Sequence, residues 1–230
     1  MAEQSQGARA LFFDESLVEE VAAVNGFAVE SVEPLCEIDG DAIVMRHGKS
    51  GARLLFLHNA DENKAFSISF KTPPVDDTGV FHILEHSVLC GSDKFPVKEP
   101  FVNLLKTSMQ TFLNALTFPD KTMYPVASTN DQDLENLADV YMDAVLHPAI
   151  YRKRAVFEQE GWHYELEEPE GEITYNGVVY NEMKGVFSSP ESVLDSYIHT
   201  AMFPDTCYGV ESGGDPEDIV KLTYEDYLAF

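Results

Sequence analysis

The sequence predicts an α+β fold, an antiparallel or mixed sheet with helices packed on one face. Three observations predict it. Two pairs of apolar-rich extended segments are each joined by a short turn. Several later stretches carry apolar residues at helical spacing. No repeat, low-complexity tract or linker interrupts the 230 residues, which suffice for one large domain or two small ones with a buried core.

The elements follow in chain order. Residues 1–10 are polar with small side chains and predict a disordered start, so the folded domain is expected over 11–230. Residues 29–47 read as one extended segment, with Ile43, Val44 and Met45 near its end. Gly48-Lys49-Ser50-Gly51 supplies a turn and residues 53–58 (RLLFLH) a second strand, which makes a hairpin. Residues 66–70 (FSISF) alternate apolar and Ser, the pattern of a half-buried strand, and Pro73-Pro74 stops it. Asp76-Asp77-Thr78 offers N-cap chemistry for a helix from near Gly79 to about Cys90, with Gly91 as its stop.

A short helix is expected near 100–108, then a second hairpin of extended segments 111–118 and 121–128 around Phe118-Pro119-Asp120-Lys121. Leu134, Leu137, Val140, Tyr141, Ala144 and Val145 give 131–147 helical spacing. Further helices are expected over about 152–164, 178–187 and 190–203, and from Thr223 onward. The seven Glu within 158–172 read as a solvated helix end and loop, Asn176-Gly177 as a turn, and Ser212-Gly213-Gly214-Asp215-Pro216 as a loop.

Charge excludes some functions. Fifteen Lys and Arg face 40 Asp and Glu, a formal net charge of −25. Nucleic-acid binders gather basic side chains against phosphate, so nucleic acid is not an expected partner. An anionic membrane surface is disfavoured for the same reason. With 44% hydrophobic and 11% aromatic residues, the chain is not an acidic disordered polymer. Three widely spaced cysteines, Cys36, Cys90 and Cys207, form no CxxC pair, which argues against a disulfide scaffold and for a reducing compartment. No signal-peptide core, Arg-rich transit peptide or spanning apolar run is seen, so the expected location is a bacterial-type cytoplasm.

The chemistry concentrates in His82-Ile83-Leu84-Glu85-His86. On a helix, His82 and His86 are i and i+4, so both imidazoles leave one face a turn apart. That is the geometry by which one Zn²⁺ takes two nitrogen ligands. Glu85 lies near the same face and can take a proton from a water in an open coordination position. HxxEH is the inverse of HExxH, the inverzincin pattern. A catalytic zinc site needs a third protein ligand, and spacing leaves Glu158, Glu160, Glu165 and Glu182 open. Glu182 sits in an apolar-led helix start, where a carboxylate can point inward, whereas Glu158 and Glu160 lie in an acidic helix where solvation is the cheaper explanation. Cys90, i+4 from His86, reads as a buried structural thiol, and His163 beside Trp162 as a packing residue.

The segments HILEHSVLCGSDKFPVKEPF, FLNALTFPDKTMYPVAST, QEGWHYEL, GVVYNEMKGVFSSP and SGGDP, in this order, resemble the pitrilysin-type zinc metallopeptidases, and within them the presequence-protease branch. The resemblance runs from about residue 29 to 230. It implies that His82 and His86 bind zinc, that Glu85 is the general base and that Glu182 of the NEMKG segment is the distal zinc ligand. It implies that Asn114, Ala115 and Leu116 lie on an edge strand that pairs with the peptide backbone. The implied activity is endopeptidase action on short unfolded peptides. The competing reading is a catalytically incomplete or non-catalytic peptide-binding homologue, and the intact His82, Glu85, His86 and Glu182 set argues against it. Enzymes of this branch are tandems of related domains several times longer than this chain. The resemblance therefore implies a C-terminally truncated first domain whose partners are the remaining domains of the full protease.

Overall fold

A computed structural model describes residues 15–97 and 100–230. The start expected to be disordered, residues 1–10, lies outside the described residues. Two compact units divide the chain after Glu62.

The first unit contains helix α1 (Glu15–Val24) and strands β1 (Phe27–Leu35), β2 (Gly40–His47) and β3 (Arg53–His58), an antiparallel sheet in the order β1-β2-β3. The β2–β3 hairpin is the expected one. The single extended segment over 29–47 is instead two strands. The chain reverses through a 3₁₀ turn at Cys36–Ile38, and Asp39 follows in the left-handed region at φ 49°. Asp tolerates that conformation because its short side chain bonds locally. Helix α1 has no counterpart in the sequence reading. Along the sheet edge Leu54, Leu55, Phe56 and Leu57 of β3 are exposed.

The second unit begins with β4 (Lys64–Lys71), α2 (Val80–Val88) and α3 (Pro100–Thr107). Strands β5 (Gln110–Leu113), β6 (Leu116–Thr117) and β7 (Lys121–Ser128) come next, then α4 (Asp131–Leu146) and α5 (Arg154–Glu160). A hairpin of β8 (His163–Glu165) and β9 (Thr174–Asn176) leads to α6 (Val178–Val186), α7 (Pro190–Met202), α8 (Pro216–Ile219) and α9 (Tyr224–Ala229). All pairings among these strands are antiparallel. Strand β7 is central, with β4 on one side and β5 and β6 on the other. The expected strand 111–118 is interrupted at Asn114 and Ala115, which separate β5 from β6. Helix α4 packs on β4 and β7.

Two cores form in this unit. Val88, Tyr124, Val126, Leu137 and Tyr141 fill the space between the sheet and α4. Val80, Ile83, Ile150, Phe157, Val179, Met183, Ile219, Leu222 and Tyr227 form a second core among helices. Helix α2 contributes to both, its first turns to the helical core and its end to the sheet core. Fully burying an aliphatic side chain contributes about 1.5–3 kcal/mol, so α2 is anchored at both ends.

Two expectations are corrected here. Helix α5 stops at Glu160 rather than near 164, because Gly161 closes it: a Cβ there would stand 2.8 Å from the Phe157 carbonyl oxygen. The N-cap of α2 is Gly79, at φ 65°, not an acidic or Thr side chain. The Asp76 carboxylate accepts from Thr78 instead, and that of Asp77 from the Glu211 backbone N–H at 2.7 Å. None of the three cysteines, all among the described residues, is in a disulfide. Among the described residues, no helix is long and apolar enough to cross a membrane.

Candidate functional site

Because Val80 and Ile83 point into the helical core, the neighbouring face of α2 presents His82, Glu85 and His86. That face lines a cavity of about 380 Å³ shared with Asn114, Ala115, Leu116, Thr117, Glu182 and Gly213. The cavity thus brings together His82, Glu85, His86, Glu182, Asn114, Ala115 and Leu116, but not Glu158, Glu160 or Glu165.

The two imidazoles stand with ring centroids 5.0 Å apart. Glu182 reaches them from α6, where Val179 and Met183 are buried and the intervening carboxylate is left toward α2. Its Oε2 lies 3.8 Å from His82 Nε2 and 3.7 Å from His86 Nε2. The ligand atoms of this trio all fall within 4.8 Å of one another. Ligands held at ~2.0–2.1 Å around a tetrahedral ion stand ~3.4 Å apart, so small side-chain rotations close the set. Two imidazole nitrogens and one carboxylate oxygen suit zinc and leave a coordination position open. The donor set fits the metal that the motif implies.

Of the other carboxylates left open as ligands, Glu158 and Glu165 lie outside the cavity that holds the trio, as do the thiol of Cys90 and the ring of His163 that the sequence reads as structural. Glu158 pairs with Arg154 at 3.0 Å on the surface, and Glu165 accepts from Asn176 at 2.7 Å. Cys90 sits past the end of α2 and its thiol points to Glu160 at 3.3 Å. His163 bonds the Glu158 carbonyl with Nδ1, away from the cavity.

Each histidine is held from behind. His82 Nδ1 lies 2.9 Å from the Gly213 carbonyl oxygen. A carbonyl can only accept, so Nδ1 carries the proton and Nε2 keeps its lone pair. The approach depends on glycines. A Cβ at Gly79 would meet Gly213 O at 2.7 Å, and one at Gly214 (φ 99°) would meet Ile219 Cγ1 at 2.8 Å and Gly79 Cα at 2.9 Å. The Asp77 carbonyl, accepting from Asp215 N–H at 2.8 Å, ties the two loops together.

Behind His86 stands Glu160, 3.4 Å from Nδ1. This overturns the reading of Glu160 as a solvated residue of an acidic helix, for it is 7% exposed. Burial works to lower the His86 pKa, but the Glu160 hydrogen bond and the charges of Glu85, Glu160 and Glu182 outweigh it and leave the pKa raised. Burial works to raise that of Glu160, but hydrogen bonds from His86, Cys90 and Gln159 leave it lowered.

Glu85 is buried, and its Oε2 accepts a 2.7 Å hydrogen bond from Thr117 Oγ1 on β6. That contact carries no sequence mark beyond the position of Thr117 on the expected edge strand. A second cavity of about 360 Å³ adjoins Glu85, His86 and Ala115 and is lined on its apolar side by Leu89, Phe101, Val102 and Val178.

An α+β fold with an inverted His-pair helix, a carboxylate from a later helix and an adjoining sheet edge defines a metallopeptidase-type domain. The chain belongs to the insulinase family (peptidase family M16), whose family model matches residues 72–212. It is 57% identical over 206 residues to protein HypA of Clostridium perfringens, covering 90% of this chain and 21% of that protein. It is 55% identical over 205 residues to presequence protease 1, chloroplastic/mitochondrial, of Arabidopsis thaliana, covering 89% of this chain and 19% of that one. In fold it is similar to the crystal structure of pitrilysin, with a TM-score of 0.62 at 18% identity, over 84% of this chain and 19% of pitrilysin. The chain thus spans about a fifth of the length of the relatives it matches. The resemblance to pitrilysin-type peptidases and their presequence-protease branch is borne out.

Proposed function

We propose that this chain is the metal-binding domain of a zinc endopeptidase that cleaves short, unfolded peptides. One observation carries the reading: a single cavity joins His82, His86, Glu182 and Glu85 to Leu116 of β6 and to Asn114 and Ala115, which are not on the expected edge strand but in the break between β5 and β6. His82, His86 and Glu182 would hold the ion. Bound zinc supplies a polarised water of lowered pKa and Lewis-acid support for the carbonyl oxygen. Glu85 accepts the water's proton as the scissile carbonyl is attacked and returns it to the departing amine. Thr117 keeps the Glu85 carboxylate turned to the cavity. The peptide adds to the sheet edge along residues 114–116 and is read mainly through its main chain. The adjoining apolar cavity accepts a side chain beside the cleaved bond.

On this reading residues 11–230 form most of the first domain of a longer cytoplasmic protease, and further domains complete the peptide site. The relatives' greater length supports that part. A non-catalytic peptide-binding homologue is disfavoured because the His82, His86 and Glu182 ligand atoms gather within 4.8 Å and Glu85 lines the same cavity.

The test is Glu85→Gln in the full-length protease. Zinc content should stay at that of the wild type while peptide turnover falls roughly 10²–10⁴-fold; unchanged turnover removes Glu85 as the base. His82→Ala should lose zinc, and stoichiometric zinc in that variant removes His82 from the site.

A further inference from the structure

The mechanism above gives no task to Glu160, a carboxylate almost wholly withdrawn from water at the end of α5. Such a group is stable only when hydrogen-bonded or paired, and here both oxygens are engaged. Oε1 accepts from Gln159 Nε2 at 2.8 Å and from the Cys90 thiol at 3.3 Å. Oε2 faces His86 Nδ1 at 3.4 Å. The opposite nitrogen of the same ring, Nε2, faces Glu182. The lone-pair directions of the two ring nitrogens diverge, so a carboxylate at Nδ1 cannot share an ion held at Nε2. Glu160 is therefore not an alternative to Glu182.

We infer that Glu160 is a positioning residue for His86: by accepting from Nδ1–H it fixes the tautomer, aims Nε2 at the metal and strengthens it as a donor. Cys90 and Gln159 hold the carboxylate in turn, so that the segment Gln159-Glu160 and the turn after α2 form one support behind the ring. The inference rests on the zinc reading, because positioning has meaning only toward an ion. The arrangement is a histidine oriented by an outer carboxylate, and removing such partners weakens metal affinity roughly 10–100-fold.

The experiment is zinc binding to this chain, measured by chelator competition, for wild type, Glu160→Gln and Glu160→Ala. Wild type should bind one zinc. Glu160→Ala should bind roughly 10–100-fold more weakly, and Glu160→Gln, whose amide oxygen still accepts from Nδ1–H, should recover part of the loss. Glu160→Ala with wild-type affinity overturns the inference and leaves the zinc reading standing. A wild type that takes up no zinc overturns the zinc reading itself. Should Glu160→Ala fail to fold, the His86 Nδ1–H proton resonance in the zinc-loaded protein decides. It should be far downfield and slow to exchange in wild type and should move upfield in Glu160→Gln; an unmoved resonance overturns the inference.

Discussion

The two cores flanking α2 serve the site differently. The helical core carries everything that touches the metal trio from the C-terminal side of the chain: Glu182 on α6, Glu160 on α5 and the Gly213 carbonyl in the loop before α8. The sheet core carries what touches Glu85 and the cavity wall beside it: Thr117 on β6 and Asn114, whose carbonyl accepts from Tyr141 of α4 at 3.3 Å. On the proposed function, metal holding and substrate holding fall to separate packed bodies joined by one helix of nine residues. A substitution on one side should leave the other side's property standing.

The largest expected effect is on the helical side. Gly214→Ala places a Cβ against Ile219 and Gly79 at a backbone conformation that L residues rarely adopt. Overpacking and left-handed strain each cost about 1–3 kcal/mol. The melting temperature should fall by several degrees and zinc affinity should fall with it, since the Gly213 carbonyl moves off His82. A variant with wild-type melting temperature and affinity would break the proposed link between that loop and the metal.

A smaller effect reports on both cores at once. Burial raises the pKa of Tyr124, Tyr141 and Tyr227, the first two with help from the Glu85 charge. An ordinary tyrosine ionises at about 10. Above that pH the unfolded chain releases protons that the folded chain keeps, so stability falls as pH rises, by up to about 1.4 kcal/mol per group per pH unit. Of the ten tyrosines, these three should show phenolate absorbance only as the fold is lost. Tyr141→Phe should flatten the alkaline slope of stability. An unchanged slope would mean that Tyr141 ionises in place.

The smallest effect belongs to the sheet side. Thr117→Val removes the hydroxyl that bonds Glu85 and keeps the volume. A hydrogen bond to a charged group contributes about 1.5–3 kcal/mol at most, and water can replace part of it. Turnover in the full-length protease should drop several-fold to tenfold while zinc affinity holds. Loss of zinc in this variant would show that the two sides are not separable.

What the sequence disclosed, and what it concealed, follows from how each residue acts. His82, Glu85 and His86 were legible because their spacing is the geometry of one helix face. The two hairpins and α4 were legible from turn residues and apolar period. The carboxylate that joins the two histidines was not, since a side chain on a distant helix leaves no spacing to read, and only the family resemblance selected Glu182. Glu160 was hidden inside a run of seven Glu, where six polar neighbours in the composition masked the burial of one. The Gly213 carbonyl was invisible because a backbone acceptor has no letter of its own. The Ser212–Pro216 stretch showed only that a loop was present. The split of 29–47 into two strands turned on Asp39-Gly40, a two-residue signal inside an otherwise extended stretch.

Strand β3 has a consequence for how this polypeptide behaves in a tube. Its row of Leu54, Leu55, Phe56 and Leu57 at a sheet edge is an adhesive surface for any second copy that drifts into register. Long-range repulsion between bodies each carrying a formal charge of −25 opposes such pairing. The chain's colloidal stability is therefore expected to depend on that charge being both present and unscreened. Light scattering should rise as the buffer approaches pH 4.4, the sequence pI, and as salt shortens the Debye length to a few ångströms.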